Sequence, residues 1–216
     1  MSYNENKPEA IIFDWDDTLA DNWKSIHRAL NASLEAMNLP TWSLKKTRSN
    51  VSRSLRESFP KIFGDKWEDA ADVFYTQIRA SHLETLKPLY FAEELLEQLM
   101  EAKITLGIVS NKTGDLLRAE CEFLGWNSYF TNIIGAGDSQ KDKPAADPIF
   151  FCLDGSGIIP SLDTWYVGDA PTDIECAKKA GVTSVLIRNS HITADYACFP
   201  PDLHFKDLCE MAEFLI

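Results

Sequence analysis

The sequence predicts an α/β fold, in which a parallel sheet is flanked by helices and carries an inserted all-helical segment. Two observations support this prediction. Short apolar runs, several of them rich in β-branched residues, alternate in the second half of the chain with segments of helical periodicity. Such alternation indicates parallel strands joined by right-handed crossovers. Between the first and second apolar runs, residues 21–88 show helical patterning almost throughout, which is typical of a lid or a small second domain.

The elements follow from these patterns in chain order. Strands are predicted at residues 10–14, 104–110, 132–136, 164–169 and 183–188. The first contains Ile11, Ile12 and Phe13, a continuous apolar run typical of a buried parallel strand. Core helices are predicted at residues 92–102, 114–124, 148–153 and 174–180, and a last helix at residues 207–216 covers the sheet. Gly125 and Gly181 stand where the residue after a helix is expected to be glycine.

The inserted segment is predicted to hold three helices, at residues 23–37, 44–59 and 67–86. Prolines at positions 40 and 60 separate them. The predicted organisation is therefore a catalytic core of residues 1–20 and 89–216 and a helical cap of residues 21–88.

Composition excludes several classes of function. The formal net charge of -12 argues against nucleic acid or an anionic membrane as a partner, because both select basic surfaces. No apolar run approaches the ~20 residues that a membrane span requires, and the polar start of the chain lacks a signal core. The five cysteines have no Cys-x-x-Cys spacing and are interpreted as buried free thiols, so a cytoplasmic location is expected. The oligomeric state does not follow from the sequence.

The most informative segment follows the first strand and reads Asp14-Trp15-Asp16-Asp17-Thr18. Acids crowded at a strand end repel one another unless a positive charge lies among them, and a divalent metal is the usual solution. One carboxylate could then act as a nucleophile while its neighbour transfers protons. The alternative is an acidic turn without catalytic function, since Asp is common in turns.

Further polar motifs stand at the ends of the later strands. Ser110-Asn111 follows the second strand, Lys141-Asp142-Lys143-Pro144 follows the third, and Gly168-Asp169-Ala170-Pro171-Thr172-Asp173 follows the fourth. Ligands of open parallel sheets bind outside the carboxyl ends of the strands, where the strand order reverses. The joint pattern therefore predicts one functional site.

Together these motifs resemble those of the haloacid dehalogenase superfamily, and specifically its phosphatases with a helical cap inserted after the first motif. The pattern Asp14-x-Asp16-x-Thr18 matches the first motif, Ser110 the second, Lys143-Pro144 the third and Gly168-Asp169-x-x-x-Asp173 the fourth. The resemblance covers nearly the whole chain. The cap placement and the Lys-Pro motif are most similar to phosphoglycolate phosphatase-like enzymes. Two positions depart from the family pattern: Asp17 replaces a common glycine, and Ala146 replaces a common second proline.

The resemblance implies a Rossmann-like core and hydrolysis of a small phosphorylated metabolite, with 2-phosphoglycolate as the best single guess. In this interpretation Asp14 is the nucleophile that forms an aspartyl-phosphate, and Asp16 is the general acid and then the general base. Thr18 is expected to brace Asp16, with a simple polar turn residue as the alternative. Ser110 is expected to hold phosphoryl oxygens as at a helix N-terminus, with a simple N-cap role as its alternative. Asn111 is expected to bind substrate.

The resemblance also implies a cation and a metal site. Lys143 would neutralise the nucleophile and the phosphoryl group, with Lys141 as its competitor. Pro144 is expected to open a helix and so to direct Lys143 into the site. Mg²⁺ would be held by Asp14, Asp169, Asp173 and the backbone carbonyl of Asp16. An N-cap role is the alternative for Asp173. Mg²⁺ and the lysine would supply the local positive field that the net charge of -12 lacks.

Substrate choice is expected to lie in the cap, where Lys45, Lys46, Arg48, Arg53 and Arg56 form a basic run. Arg53, or Arg48, is the candidate for binding a carboxylate or second anionic group of the substrate. The alternative is a solvated helix face with i,i+4 ion pairs.

The sequence leaves two other functions open: a sugar-phosphate phosphatase or phosphomutase of the same superfamily, and a catalytically silent binding or regulatory module. A dehalogenase is disfavoured, because dehalogenation needs neither the proton transfer of Asp16 nor a metal.

Overall fold

The computed structural model describes residues 7–51, 53–189 and 193–215. Its strands are β1 (Ala10–Phe13), β2 (Ala20–Asp21), β3 (Lys87–Pro88), β4 (Thr105–Thr113), β5 (Asn132–Ala136), β6 (Thr164–Gly168), β7 (Thr183–Ile187) and β8 (Leu203–Phe205). Its α-helices are α1 (Trp23–Ala36), α2 (Leu44–Asn50), α3 (Leu55–Phe63), α4 (Trp67–Thr85), α5 (Ala92–Glu101), α6 (Gly114–Phe123), α7 (Asp147–Leu153), α8 (Pro171–Ala180) and α9 (Leu208–Leu215).

Within the described residues, six strands form one sheet in the order β5-β4-β1-β6-β7-β8. Every pairing in it is parallel. The chain first builds β4 and β5 on one side of β1 and then crosses to build β6, β7 and β8 on the other side. The strand order therefore reverses at β1, and the predicted α/β class with a parallel sheet is confirmed.

The central strand explains why the sheet is covered on both faces. All four residues of β1 are at most 1% exposed. Ile11 and Phe13 pack in the apolar cluster that includes α5 and α9, whereas Ala10 and Ile12 pack in the cluster that includes α7 and α8. Successive side chains of a strand point to opposite faces, so a continuous apolar run is what a doubly covered strand requires.

The helical insertion leaves and rejoins the core through a short antiparallel ribbon, in which Ala20 of β2 pairs with Pro88 of β3. The proposed cap boundaries, residues 21 and 88, fall within this ribbon. Helices α1 to α4 lie between the two strands, and α1, α3 and α4 share an apolar cluster that includes Leu30, Phe59 and Phe63. Because this cluster is separate from the clusters of the sheet, the insertion packs around its own centre.

The predicted single helix at residues 44–59 is wrong, because the chain forms α2 and α3 in its place. The side chains of Ser49 and Asn50 donate hydrogen bonds to backbone carbonyls of the preceding turn, at 2.6 and 2.8 Å. Such local bonds compete with helix propagation. Helix α3 then continues through Pro60, where the sequence predicted a break. Packing of Phe59 and Phe63 in the cap cluster outweighs the intrinsic cost of that proline.

Other differences are local. Strand β8 was not predicted, because three residues are too short to show a periodicity. The helix predicted to end at Ile216 runs to Leu215, and Ile216 and residues 1–6 lie outside the described residues. All five cysteines are free, but Cys198 is exposed and Cys209 half-buried, so only part of the prediction of buried thiols is correct. None of the helices in the described ranges is long and apolar enough to cross a membrane.

Candidate active site

The predicted site residues meet at the carboxyl ends of β1, β4 and β6, which are neighbours in the sheet. Asp14 directly follows β1, and its backbone N–H donates to the carbonyl of Val167 at 2.8 Å. Asp17 takes up the left-handed conformation with φ of 62°, as expected for a residue that replaces a glycine. This tight turn brings Asp14 and Asp16 to one cavity, which Ser110, Lys143 and Asp169 also line.

Lys143 lies at the centre of the acidic cluster. Its Nζ atom is 2.7 Å from Asp14 Oδ1 and 2.7 Å from Asp173 Oδ1, and the residue is only 2% exposed. Burial alone would lower the pKa of Lys143, but the two carboxylates outweigh it and hold the pKa above its ordinary value. The competing Lys141 is exposed. The geometry therefore favours Lys143 over Lys141 as the cation of the site.

The predicted role of Pro144 is wrong. Helix α7 begins at Asp147, and the Lys143–Pro144 peptide is cis, within a turn that the Ala145 N–H closes on the Asp142 carbonyl at 2.9 Å. Lys143 is instead held by its backbone, since the Asn111 side-chain amide donates to its carbonyl at 3.1 Å. Asn111, predicted to bind substrate, also lines the cavity.

Three carboxylates form a candidate metal site. One oxygen each of Asp14, Asp169 and Asp173 lies within 4.8 Å of the other two. Burial raises the pKa of Asp173 to about 6, against the opposing effect of Lys143. Burial and the neighbouring Asp173 and Asp14 raise the pKa of Asp169 well above its ordinary value. An all-oxygen donor set of this kind fits a hard cation such as Mg²⁺.

Asp173 also caps helix α8, but from within the first turn. Its Oδ2 accepts the Ala170 N–H at 2.9 Å while its Oδ1 faces Lys143. The N-cap alternative is therefore wrong in detail, since the N-cap residue is Ala170. Gly168 is required next to it, because a Cβ atom there would collide with the Asp173 carboxyl group. The capping bond and Gly168 together fix the Asp173 carboxylate in the group of three carboxylates.

Asp16 faces a second cation that the sequence analysis missed. Lys112 Nζ is 3.0 Å from Asp16 Oδ1 and 2.6 Å from Glu120 Oε2. Burial raises the pKa of Asp16 to about 7, with Lys112 opposing the shift and Glu120 and Asp14 adding to it. A carboxyl group with this pKa can both give and take a proton near neutral pH, which is what the predicted acid–base role requires.

Glu120 is the anchor of this second cluster. It is 0% exposed and accepts four hydrogen bonds: from Trp15 Nε1 at 2.7 Å, Asn22 Nδ2 at 2.8 Å, His82 Nδ1 at 3.0 Å and Lys112 Nζ at 2.6 Å. Burial would raise the pKa of Glu120, but Lys112 and the other donors hold it below its ordinary value. The donors come from β4, from the turn after β1, from the ribbon that leads into the cap and from α4. Glu120 therefore joins the cap to the catalytic loop.

A signal for this cluster exists in the sequence. The buried face of α6 contains Leu116, Leu117 and Cys121, and Glu120 interrupts it at a position where an apolar residue is expected. His82 interrupts the buried face of α4 in the same way. A charged residue within an apolar stripe indicates a buried partner, although its identity depends on tertiary contacts.

Thr18 and Ser110 differ from expectation. Thr18 Oγ1 is buried and has no hydrogen-bond partner among the residues that the structure describes, so the expected bond to Asp16 is not seen. Ser110 is not a helix N-cap, because β4 continues to Thr113 and pairs there with Ala136 before α6 begins. The Ser110 hydroxyl accepts the Lys112 N–H at 3.2 Å and lines the cavity. It remains placed to donate to a phosphoryl oxygen.

The three arginines of the basic run are engaged in ion pairs. Arg53 Nη1 is 3.0 Å from Glu57 Oε2, and Arg48 Nη2 is 3.3 Å from Asp17 Oδ1. Both arginines line the cavity. Arg56 binds the buried carboxylate of Asp142 with two hydrogen bonds, the longer of 2.6 Å, and so connects α3 to the loop that carries Lys143. The alternative of a solvated helix face with i,i+4 ion pairs is correct for the exposed Lys45 and Lys46 and for Arg53, which pairs with Glu57, whereas Arg48 and Arg56 contact the core.

Comparisons with known proteins agree with this geometry. A family model described as haloacid dehalogenase-like hydrolase matches residues 11–187. A protein of Xylella fastidiosa named phosphoglycolate phosphatase is 30% identical over 183 residues, which cover 83% of this chain and 80% of that protein. The crystal structure of a hydrolase of this superfamily from Ehrlichia chaffeensis is 28% identical, covers 98% of each chain and has a TM-score of 0.67.

A haloacid dehalogenase-like family protein from Streptococcus pneumoniae shares the fold, with a TM-score of 0.84 over 97% of this chain and 99% of that chain at 22% identity. Since the family model spans most of the chain and all four motifs converge on one site, this protein belongs to the haloacid dehalogenase-like hydrolase family.

Proposed function

We propose that this protein is a Mg²⁺-dependent phosphatase that hydrolyses a small phosphate monoester through an aspartyl-phosphate on Asp14. The observation that supports this most directly is the buried Lys143 ammonium, which lies 2.7 Å from both Asp14 and Asp173. A carboxylate so placed is oriented by a cation and open to the cavity, as a nucleophile toward phosphorus must be. The enzyme is a phosphatase, in agreement with its family and with the names of its relatives.

In the first step, an Asp14 carboxylate oxygen attacks phosphorus in line with the ester oxygen. The bond from phosphorus to the alcohol oxygen breaks, and Asp16 transfers its proton to that oxygen. Lys143 and the Ser110 hydroxyl stabilise the charge on the non-bridging phosphoryl oxygens. The products are the alcohol and phosphorylated Asp14.

In the second step, Asp16 acts as a base. It takes a proton from a water molecule that attacks phosphorus, and inorganic phosphate leaves the Asp14 carboxylate. A pKa of about 7 suits Asp16 for both steps, since neither protonation state is strongly disfavoured near neutral pH.

Asp14, Asp169 and Asp173 would hold the metal ion, with the backbone carbonyl of Asp16 as a further proposed ligand. Their three oxygens are close enough to bind one ion, and Lys143 alone does not balance their charge. When bound, Mg²⁺ would offset the negative charge of the phosphoryl oxygens and so reduce their repulsion of the nucleophile.

The names of the relatives make 2-phosphoglycolate the first substrate to assay. If 2-phosphoglycolate is turned over, Arg53, which lines the cavity, is the residue that would bind its carboxylate. That contact would require the Arg53 guanidinium to exchange Glu57, 3.0 Å away, for the substrate.

The test is a phosphate-release screen over a panel of phosphorylated metabolites, with Mg²⁺ or with a chelator. The proposal expects release that depends on Mg²⁺ and is lost in Asp14→Asn. Isomer formation without phosphate release would instead indicate a phosphomutase. Absence of turnover across the panel would indicate a binding or regulatory module.

A further inference from the structure

The cavity over Asp14 extends between core and cap, and its cap side is apolar. Its volume is about 180 Å³. The phosphoryl end is formed by Asp14, Ser110 and Lys143. The remainder is lined mainly by aromatic and aliphatic side chains of α1, α3 and α4, among them Trp23, Ile26, Leu30, Phe59, Phe74 and Ile78. We call this remainder the apolar chamber.

The cations that line the cavity already have partners. Among its described lining residues, Lys143 pairs with Asp14 and Asp173, and Lys112 pairs with Asp16 and Glu120. The two arginines at the chamber are also paired, Arg48 with Asp17 and Asp21 and Arg53 with Glu57. A second negative group on the substrate would therefore meet cations whose charge is already offset by carboxylates, in a protein whose net charge of -12 repels it.

We propose that the apolar chamber binds the alcohol half of the substrate, and that this half is an uncharged apolar group such as a short alkyl chain or a single aromatic ring. The inference rests on the phosphatase activity proposed above and names its substrate class. The whole cavity of about 180 Å³ also holds the phosphoryl group, so the chamber has room for no more than a short chain or one small ring, given that a cavity of about 150 Å³ accommodates benzene. It predicts that such esters are better substrates than 2-phosphoglycolate, which places a carboxylate in the same position.

A homologous series of n-alkyl phosphates, from methyl to hexyl phosphate, tests the inference. The chemistry at phosphorus is nearly constant along the series, because the departing alcohols differ little in basicity. Each methylene group buried in the chamber should raise kcat/KM about fourfold, so that butyl phosphate exceeds methyl phosphate by roughly sixtyfold. The rise should level off once the chamber is filled.

Two matched substitutions locate the effect. Ile26 lines the chamber, and Ile26→Phe should lower the ratio of butyl to methyl phosphate turnover by about tenfold or more, as added bulk occupies the space for the chain. Leu39→Phe adds bulk of the same kind at a cap position that is 38% exposed and away from the cavity, and should leave the ratio unchanged.

The possible outcomes separate this inference from the proposed function. An increase of kcat/KM along the alkyl series, together with a lower butyl-to-methyl ratio in Ile26→Phe, supports the chamber. A flat or falling series, or higher kcat/KM for 2-phosphoglycolate than for butyl phosphate, overturns the chamber but leaves the phosphatase intact. No Mg²⁺-dependent phosphate release from any ester overturns both.

Discussion

Replacing Glu120 by glutamine removes the buried negative charge on which the core, the ribbon and the cap converge. Glu120 Oε1 accepts hydrogen bonds from Asn22 and His82, and Oε2 accepts them from Trp15 and Lys112. A glutamine amide has one oxygen and one NH₂ group. In either orientation, the NH₂ group would face two donors. Two hydrogen bonds are then lost, and two donors are left facing another donor.

The magnitude follows from burial. Glu120 is 0% exposed and Lys112 is nearly so, and removing one partner of a buried ion pair typically costs about 3–5 kcal/mol. For a domain of this size, about 1 kcal/mol lowers the Tm by roughly 2–4 °C. We therefore expect Glu120→Gln to lower the Tm by about 6–20 °C.

The substitution should also change catalysis in a specific direction. Glu120 helps to raise the pKa of Asp16, so its neutralisation should lower that pKa and move the alkaline limb of the kcat/KM profile to lower pH. Thermal unfolding and a pH–rate profile below the Tm measure both effects. Glu122→Gln is the matched control, being the same change at an exposed position of the same helix. If Glu120→Gln lowers the Tm no more than Glu122→Gln does and leaves the pH profile unchanged, the proposed role of Glu120 in connecting core and cap is refuted.

Three further predictions concern the acids and the cap. Asp16→Asn should reduce kcat/KM for alkyl phosphates by ~10²–10⁴-fold, but by less for an aryl phosphate with an activated leaving group, and equal losses would argue against a general acid. Mg²⁺ should raise the Tm more at about pH 7.5 than at about pH 5.5. The pKa values of Asp169 and Asp173 are raised in the fold, so protonation of these carboxyl groups stabilises the metal-free protein at a pH below the pKa of the unfolded chain. This stabilisation is lost as the pH rises through the folded pKa, which is about 6 for Asp173. Equal increments at the two pH values would contradict the metal assignment. Arg56→Ala should lower kcat/KM by about tenfold or more, because Asp142, which precedes Lys143, loses its charged hydrogen bonds.

The Arg56 substitution has its own control on the same helix. Lys61 is exposed and lies at the last turn of α3, so Lys61→Ala removes an equal charge from the cap without touching the core. Comparable losses in kcat/KM for the two variants would mean that cap charge in general, and not the contact of Arg56 with Asp142, is responsible.

Much of the core could be predicted because its signals are local. The five predicted strands all form, four of them within one residue of the expected ends, since each is a short apolar run closed by turn residues, whereas β4 continues to Thr113. Asp14 and Asp173 could be placed at one site because the carboxyl ends of neighbouring parallel strands share an edge of the sheet. For these residues, sequence spacing and fold class were sufficient.

The rest depends on contacts between distant residues. Trp15 lies 105 positions from Glu120, and Arg56 lies 86 positions from Asp142. No local pattern encodes such a pairing; the sequence shows only that a charge interrupts an apolar face. In the cap, helix breaks at Ser49 and Asn50 and helix continuation through Pro60 were decided by side-chain bonds and tertiary packing, which outweigh local propensity.

In the mechanism that we propose, Asp14 forms a covalent phosphoryl intermediate. The most direct measurement is acid quenching of the enzyme during turnover of a phosphate ester labelled at phosphorus, followed by peptide mapping. We expect label on the peptide that contains Asp14 and no label in Asp14→Asn, because asparagine cannot form the acyl-phosphate. Label on another residue, or undiminished turnover in Asp14→Asn, would contradict it.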